Sequence, residues 1–181
     1  MNQNIIDEYN ISDNKSDKEY LHKYISNFYD LKIAHRKLDK INILEIGVQY
    51  GHSIKLWENY FKNATIYGLD IENKIEHIYP DRVNIIFIDA YSEDALNYFK
   101  NLSIKFDIII DDGPHCFDSQ NFFCKNYPNL LNKDGIIIVE DVVIANIDKL
   151  IQNSPEFKCI NLTGIGISPH NDNALLYWEN K

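Results

Sequence analysis

Two acidic motifs, DDGPH at 111–115 and ED at 140–141, contain the residues of this chain best suited to chemistry. Each follows a run of apolar β-branched residues, which predicts a buried strand ending at the motif. Neighbouring parallel strands end at the same edge of a sheet, so up to four carboxylates and an imidazole converge there. Carboxylates held this close raise one another's pKa unless a cation offsets them. Ligation by oxygen favours Mg²⁺, Mn²⁺ or Ca²⁺ over zinc.

Each part of this pattern also has a purely structural explanation. Asp-Gly after a strand is a common turn, and the 140–141 pair can cap the next helix. His115 alone is more often a hydrogen-bonded loop residue than a base. The occurrence of both motifs at adjacent strand ends favours a cation site over these explanations.

A glycine loop follows the first apolar run, where Gly47 and Gly51 let the backbone approach a ligand. Asp70 ends the second run and is suited to bond both hydroxyls of a ribose, and Asp89 ends the third and is suited to an adenine amino group. The G-x-x-x-G spacing differs from the pyrophosphate-binding G-x-G-x-x-G, which favours a ligand without phosphates over a dinucleotide. The alternative is an ordinary strand-to-helix turn with Asp70 as a cap.

A doubly wound α/β sheet must position these residues. Five strand-like runs occupy 41–48, 64–71, 82–90, 106–112 and 135–142. Segments with helical spacing occupy 53–61, 92–102 and 118–131. Runs at 157–164 and 173–180 have no helix between them, so the last strand is expected to be antiparallel. The predicted fold is Rossmann-like, with a seven-stranded, mostly parallel sheet and an antiparallel C-terminal hairpin strand, the architecture of S-adenosylmethionine-dependent methyltransferases.

Residues 16–38 are predicted to form a leading helix that packs across the sheet, and 1–15 a loose polar tail. The aromatic residues of this helix suit either the core or an interface with a second copy: Tyr20, Tyr24, Phe28 and Tyr29.

The net charge of −9 and the three cysteines limit the partners and the compartment. An acidic chain is a poor match for nucleic acid or an anionic membrane surface. The cysteines lack C-x-x-C spacing, which suits a reducing compartment. With neither a signal-peptide pattern nor a run of about 18 apolar residues, we expect a cytoplasmic protein without a membrane span.

Four segments together resemble a known family: LEIGVQYGHSIKLWENYF, IYGLDI, FDIIIDDGPH and LLNKDGIIIVEDV. They are similar to the metal-dependent sugar O-methyltransferases of macrolide biosynthesis (the macrocin and mycinamicin group, with related cephalosporin-hydroxylase-like proteins), which are class I methyltransferases. The segment SDKEYLHKY is similar to the one that precedes the first strand in that group, so the resemblance makes 16–181 one methyltransferase domain. It implies methyl transfer from S-adenosylmethionine to a sugar hydroxyl of a glycan or glycoside.

The resemblance also implies roles for individual residues. His115 would be the general base. The ligands of Mg²⁺, or of another hard divalent cation, would be Asp112, Glu140 and Asp141. The cofactor would lie against Glu45, Gly47, Gly51, Ser53, Asp70 and Asp89.

Two departures from the family concern the acceptor. Pro114 replaces a serine, and the segment after Asp141 is shorter than the substrate-covering lid of the family. We therefore expect an open acceptor site, or one covered by the N-terminal segment or a partner subunit, and favour a bacterial surface glycan precursor as acceptor. The alternatives are a phenolic or catechol acceptor, an NAD-binding oxidoreductase, and a non-catalytic domain of the same fold.

Overall fold

The structure, a computed structural model, describes residues 4–181 as a seven-stranded sheet with helices on both faces. The strands are β1 (Asn42–Ile46), β2 (Thr65–Asp70), β3 (Val83–Phe87), β4 (Phe106–Asp111), β5 (Leu131–Val139), β6 (Lys158–Asn161) and β7 (Ala174–Glu179). The α-helices are α1 (Ile5–Ile11), α2 (Asp17–Tyr20), α3 (Asp30–Lys32), α4 (His52–Tyr60), α5 (Glu93–Asn101), α6 (Phe117–Asn126) and α7 (Ile147–Asn153). A π-helical turn spans Ile25–Tyr29, and 3₁₀ turns span Ala34–Arg36, Tyr127–Leu130 and Ile144–Asn146.

The sheet order β3-β2-β1-β4-β5-β7-β6 confirms the predicted fold. The first five strands are parallel, whereas β7 is antiparallel to both β5 and β6. Alternate side chains of β4 enter two separate cores, with Ile108 and Ile110 in one and Ile109 in the other. Burial on both faces explains why the strand runs are continuously apolar.

The leading segment is broken, which corrects the prediction of one helix over 16–38. It consists of α2, the π-helical turn, α3 and a 3₁₀ turn, with Lys23 at a φ of 64° between the first two. A non-glycine residue with this φ interrupts a right-handed helix. The break lets Lys18 and the aromatic side chains of the second half reach the same end of the sheet.

The described part of the predicted tail, 4–15, is also structured. It contains α1, whose Ile5 is fully buried in the core that α4 and the leading segment share. Burial of an isoleucine contributes roughly 1.5–3 kcal/mol, enough to hold a short segment against the domain. The prediction of a loose tail is therefore wrong for these residues, and 1–3 lie outside the described part.

Helix lengths and hydropathy also bear on the membrane prediction. Across residues 4–181, none of the helices combines the length and the apolar character that crossing a bilayer requires.

Candidate active site

A cavity of about 750 Å³ opens at the carboxyl ends of the central strands. Four of the six predicted cofactor residues line it: Gly47, Ser53, Asp70 and Asp89. The other two, Glu45 and Gly51, do not line it. Glu45 is fully buried and accepts a hydrogen bond from Trp57 Nε1 at 2.8 Å. Gly51 precedes α4, and its carbonyl oxygen accepts a hydrogen bond from the Tyr79 hydroxyl at 2.7 Å.

The loop after β1 lies directly against the end of β4. Gly47 has a φ of +84°, and a Cβ on it would stand 1.9 Å from the carbonyl oxygen of Asp112. Only glycine tolerates both this dihedral and this approach. The glycine loop and the first acidic motif are therefore one packed unit.

Two strand-end carboxylates face the cavity beside this loop. Asp70 accepts backbone hydrogen bonds from Gln49 at 2.8 Å and Glu72 at 3.0 Å, one on each oxygen. Asp89 accepts one from the Tyr91 amide at 2.9 Å. A carboxylate has about four acceptor positions, so both retain capacity for ligand hydroxyl or amino groups. This cavity, with convergent polar groups, fits a nucleoside-containing cofactor.

Asp112, His115 and Asp141 form the second half of the site. One ligand atom from each lies within 4.8 Å of the others. His115 Nε2 is 3.3 Å from Asp112 Oδ1 and 3.6 Å from Asp141 Oδ2. Gln120 Nε2 donates a hydrogen bond to the Glu140 carbonyl oxygen at 3.0 Å. The backbone of His115 and Asp141 is left-handed, with φ values of 52° and 53°. Such strained dihedrals, at about 1–3 kcal/mol each, recur at functional sites.

Glu140, the third predicted metal ligand, has different partners. Its side chain is 2% exposed and accepts hydrogen bonds from Lys18 Nζ and from the Tyr29 hydroxyl. Two groups of three possible metal ligands occur among the described residues, and neither contains Glu140: Asp112 with His115 and Asp141, and Asp17 with His22 and Asp141.

Lys18 is the functional residue that the sequence reasoning missed. It is 1% exposed, and its Nζ lies 2.7 Å from Asp112 Oδ2 and 3.1 Å from Glu45 Oε1. The leading segment also supplies Tyr24, whose hydroxyl donates to Asp141 Oδ1 at 2.8 Å. The resemblance of SDKEYLHKY to the family was the one signal that this segment belongs to the site.

The charges in this region perturb one another strongly. Burial alone would lower the pKa of His115, but its hydrogen bond to Asp112 and the charge of Asp141 raise that pKa to about 9. Burial raises the pKa of Asp141 to about 6. Burial also opposes the charge on Lys18, yet the carboxylates beside it, with Asp112 the strongest, raise its pKa well above the usual range. The carboxylates beside Lys18 and His115 therefore favour the charged form of both side chains.

The donor set fits a hard divalent cation. Lys18 Nζ contacts Glu45, Asp112 and Glu140, and Asp141 lies beside His115, so the carboxylates outnumber the cationic side chains. Asp112 and Asp141 offer carboxylate oxygens of the kind that Mg²⁺ prefers. A cation at these two residues would offset the remaining charge.

Comparisons with known proteins agree with this geometry. The chain is 31% identical over 135 residues to the 8-demethyl-8-α-L-rhamnosyl tetracenomycin-C 2′-O-methyltransferase of Streptomyces olivaceus, covering 70% of this chain and 35% of that protein. It is 30% identical to the demethylmacrocin O-methyltransferase of Streptomyces fradiae, covering 65% and 31%. The structure of MycE methyltransferase with Mg and SAH superposes with a TM-score of 0.76 at 19% identity, covering 98% of this chain and 55% of that one. The chain has the fold of the class I methyltransferases.

The similarity of the chain to sugar O-methyltransferases, expected from the sequence, is thereby confirmed. A second MycE complex, with Mg, SAH and mycinamycin VI, has a TM-score of 0.68 at 25% identity, covering 81% of this chain and 39% of that one. The chain spans about a third of the length of the curated relatives it matches. No family model matches it.

Proposed function

We propose that this methyltransferase transfers a methyl group from S-adenosylmethionine to a hydroxyl group of a sugar, with the help of a divalent cation. The observation that carries the proposal is the convergence of Asp112, His115 and Asp141 at the cavity edge that also holds Gly47 and Asp70. The relatives support it, because their names describe O-methyl transfer to a rhamnosyl tetracenomycin-C, to demethylmacrocin and to mycinamicin VI.

The cofactor residues hold and orient the nucleoside. Asp70 would accept hydrogen bonds from the ribose hydroxyls, and Asp89 would accept one from the adenine amino group. Gly47 allows the backbone to approach the ligand, and Ser53 closes the wall at the start of α4. In this proposal Glu45, which does not line the cavity, helps to position the site by accepting a hydrogen bond from Trp57 and pairing with Lys18.

When bound, the cofactor supplies an electrophilic methyl group, and a divalent cation supplies positive charge that lowers the pKa of the acceptor hydroxyl. Asp112 and Asp141 would hold the cation, and Glu140, whose side chain contacts Lys18 and Tyr29, would be the third carboxylate beside it. His115 accepts the hydroxyl proton. It must be neutral to do so, which requires that the carboxylates beside it be offset.

The net charge and the free cysteines bear on the acceptor and on the location of the protein. We propose a small glycoside or a bacterial glycan precursor as acceptor, with no nucleic-acid partner, because the net charge is −9. The three free cysteines support a reducing, cytoplasmic location. Assembly into a homo-oligomer stays a prediction.

Calorimetric titration tests the cofactor, and a turnover assay tests the acceptor. We expect S-adenosylmethionine and S-adenosylhomocysteine to bind and NAD not to bind. Methyl transfer to glycosides should disappear in EDTA and return with Mg²⁺. Asp112→Asn should behave like metal removal, whereas Asp118→Asn, an exposed aspartate on α6, should not. Binding of NAD, full turnover in EDTA, or transfer to catechol but not to sugars would each overturn the corresponding part of the proposal.

A further inference from the structure

We propose that Lys18 is the resident counter-ion of the acidic cluster, defined as Glu45, Asp112, Glu140 and Asp141, and that it sets the affinity of this cluster for a divalent cation. The inference rests on the proposed function for the identity of the cation. The role of Lys18 as counter-ion depends on the geometry alone.

The position of Lys18 in the cluster is built by the surrounding structure. Its side chain is 1% exposed and contacts Glu45, Asp112 and Glu140 at once. These partners come from the ends of β1, β4 and β5, up to 122 residues away in sequence. A lysine buried to this degree is rare and requires paired charges, so its presence here indicates a specific electrostatic role.

Neutral donors complete the bonding of two of these carboxylates. Trp57 Nε1 donates to Glu45, and the Tyr29 hydroxyl donates to Glu140. Asp141 differs, because its partners are the Tyr24 hydroxyl and the two histidines, His22 and His115, and not Lys18. Lys18 therefore occupies oxygens of Asp112 and Glu140 and leaves Asp141 available to a cation.

This arrangement gives Lys18 two opposing effects. Without a divalent cation, the ammonium offsets carboxylates that would otherwise repel one another and weaken the fold. With a divalent cation, the same ammonium repels it and competes for oxygens of Asp112 and Glu140. Removing the charge should therefore lower stability in EDTA and raise affinity for the metal. A merely structural lysine would lower both.

The experiment compares Lys18→Gln with Lys32→Gln in the full chain. Lys32 belongs to the same leading segment, pairs with Glu179 at 3.0 Å and lies 4.7 Å from the centre of the Tyr177 ring. Its variant therefore loses the same charge and one ion pair without touching a residue of the cluster. Thermal unfolding is measured in EDTA and in Mn²⁺, and the Kd for Mn²⁺ is measured by electron paramagnetic resonance.

For Lys18→Gln we expect a melting temperature about 10 °C lower than that of the wild type in EDTA, because a buried charge network has lost its cation. Mn²⁺ should restore most of this loss and bind about tenfold more tightly than to the wild type. Lys32→Gln should show neither effect. Equal melting temperatures of the two variants in EDTA would overturn the counter-ion role, and unchanged or weaker Mn²⁺ binding to Lys18→Gln would overturn the role in setting affinity.

A double variant keeps the proposal testable if Lys18→Gln does not fold in EDTA. Lys18→Gln combined with Glu140→Gln removes one charge of each sign, so it should be more stable in EDTA than Lys18→Gln alone. A double variant no more stable than the single one would refute the counter-ion role. A wild type that binds S-adenosylhomocysteine but not Mn²⁺ would overturn the metal part of the proposed function, together with the affinity effect of Lys18, while the EDTA comparison still decides the counter-ion role.

Discussion

Replacement of Gly47 by alanine should disturb the site through the backbone alone. A Cβ at this position would stand 1.9 Å from the carbonyl oxygen and 2.6 Å from the carbonyl carbon of Asp112. Both are backbone atoms, so no side chain can rotate away. Because such contacts are not found below 3.0 Å, the glycine loop and the end of β4 must separate by about 1 Å.

Two costs add in this variant, and Gly164 allows them to be separated. Gly164 has a φ of +86°, close to the +84° of Gly47, but a Cβ there would meet nothing within 4 Å. Gly164→Ala should therefore lose about 1–2 kcal/mol of unfolding free energy, because only the left-handed backbone conformation is strained. In Gly47→Ala the same backbone strain is joined by overpacking of about 1–3 kcal/mol. We therefore expect this variant to lose about 2–5 kcal/mol of unfolding free energy.

Urea unfolding of the wild type and both variants measures this difference, and calorimetry with S-adenosylhomocysteine measures its effect on the site. We expect Gly47→Ala to be the less stable variant and to bind the cofactor product at least about tenfold more weakly, since Asp112 and the loop have moved. Gly164→Ala should bind like the wild type. If the two variants lose equal stability and bind alike, the close approach of the loop to β4 is not a constraint.

Three further predictions concern single side chains. Tyr29→Phe removes a donor to the buried Glu140 and should lower the unfolding free energy in urea by about 1–3 kcal/mol, whereas an unchanged value would mean that Glu140 does not need this hydroxyl. Asp70→Asn should weaken S-adenosylhomocysteine about tenfold in calorimetry and leave Mn²⁺ affinity unchanged, and equal binding of the cofactor product would remove Asp70 from the site. Burial raises the pKa of Asp111 to about 7, so its ionisation costs the folded state stability as the pH rises from about 4 to 7. Asp111→Asn should therefore gain relative to the wild type over that range in EDTA, by up to roughly 3–4 kcal/mol, and a pH-independent difference in urea unfolding would contradict the raised pKa.

The sheet could be predicted from the sequence because its signals are local. Continuous apolar runs mark strands buried on both faces, and the missing helix between the last two runs forces an antiparallel strand. The helix over 16–38 was predicted wrongly because apolar spacing does not reveal a residue such as Lys23, whose positive φ depends on tertiary contacts. The burial of Ile5 likewise depends on a surface that only the folded sheet provides.

The site could be predicted as far as the strand ends specify it. The positions of Asp70, Asp89 and Asp112 follow from strand polarity, since parallel strands end at one edge. The partners of Glu140 do not follow from it, because Lys18 and Tyr29 reach it across more than 100 residues of sequence. Patterns within one strand contain no information about contacts of that range.

The acidic cluster and the leading segment depend on each other. Lys18 cannot be buried without carboxylates to pair with, and the carboxylates of Glu45, Asp112 and Glu140 cannot be held together without a cation. The net charge of −9 shows that the chain does not balance its acids one by one. The buried Lys18 instead offsets part of the negative charge of the cluster. The negative charge that it does not offset attracts a divalent cation. Variants that change one side of this balance should therefore cost more than variants that change both.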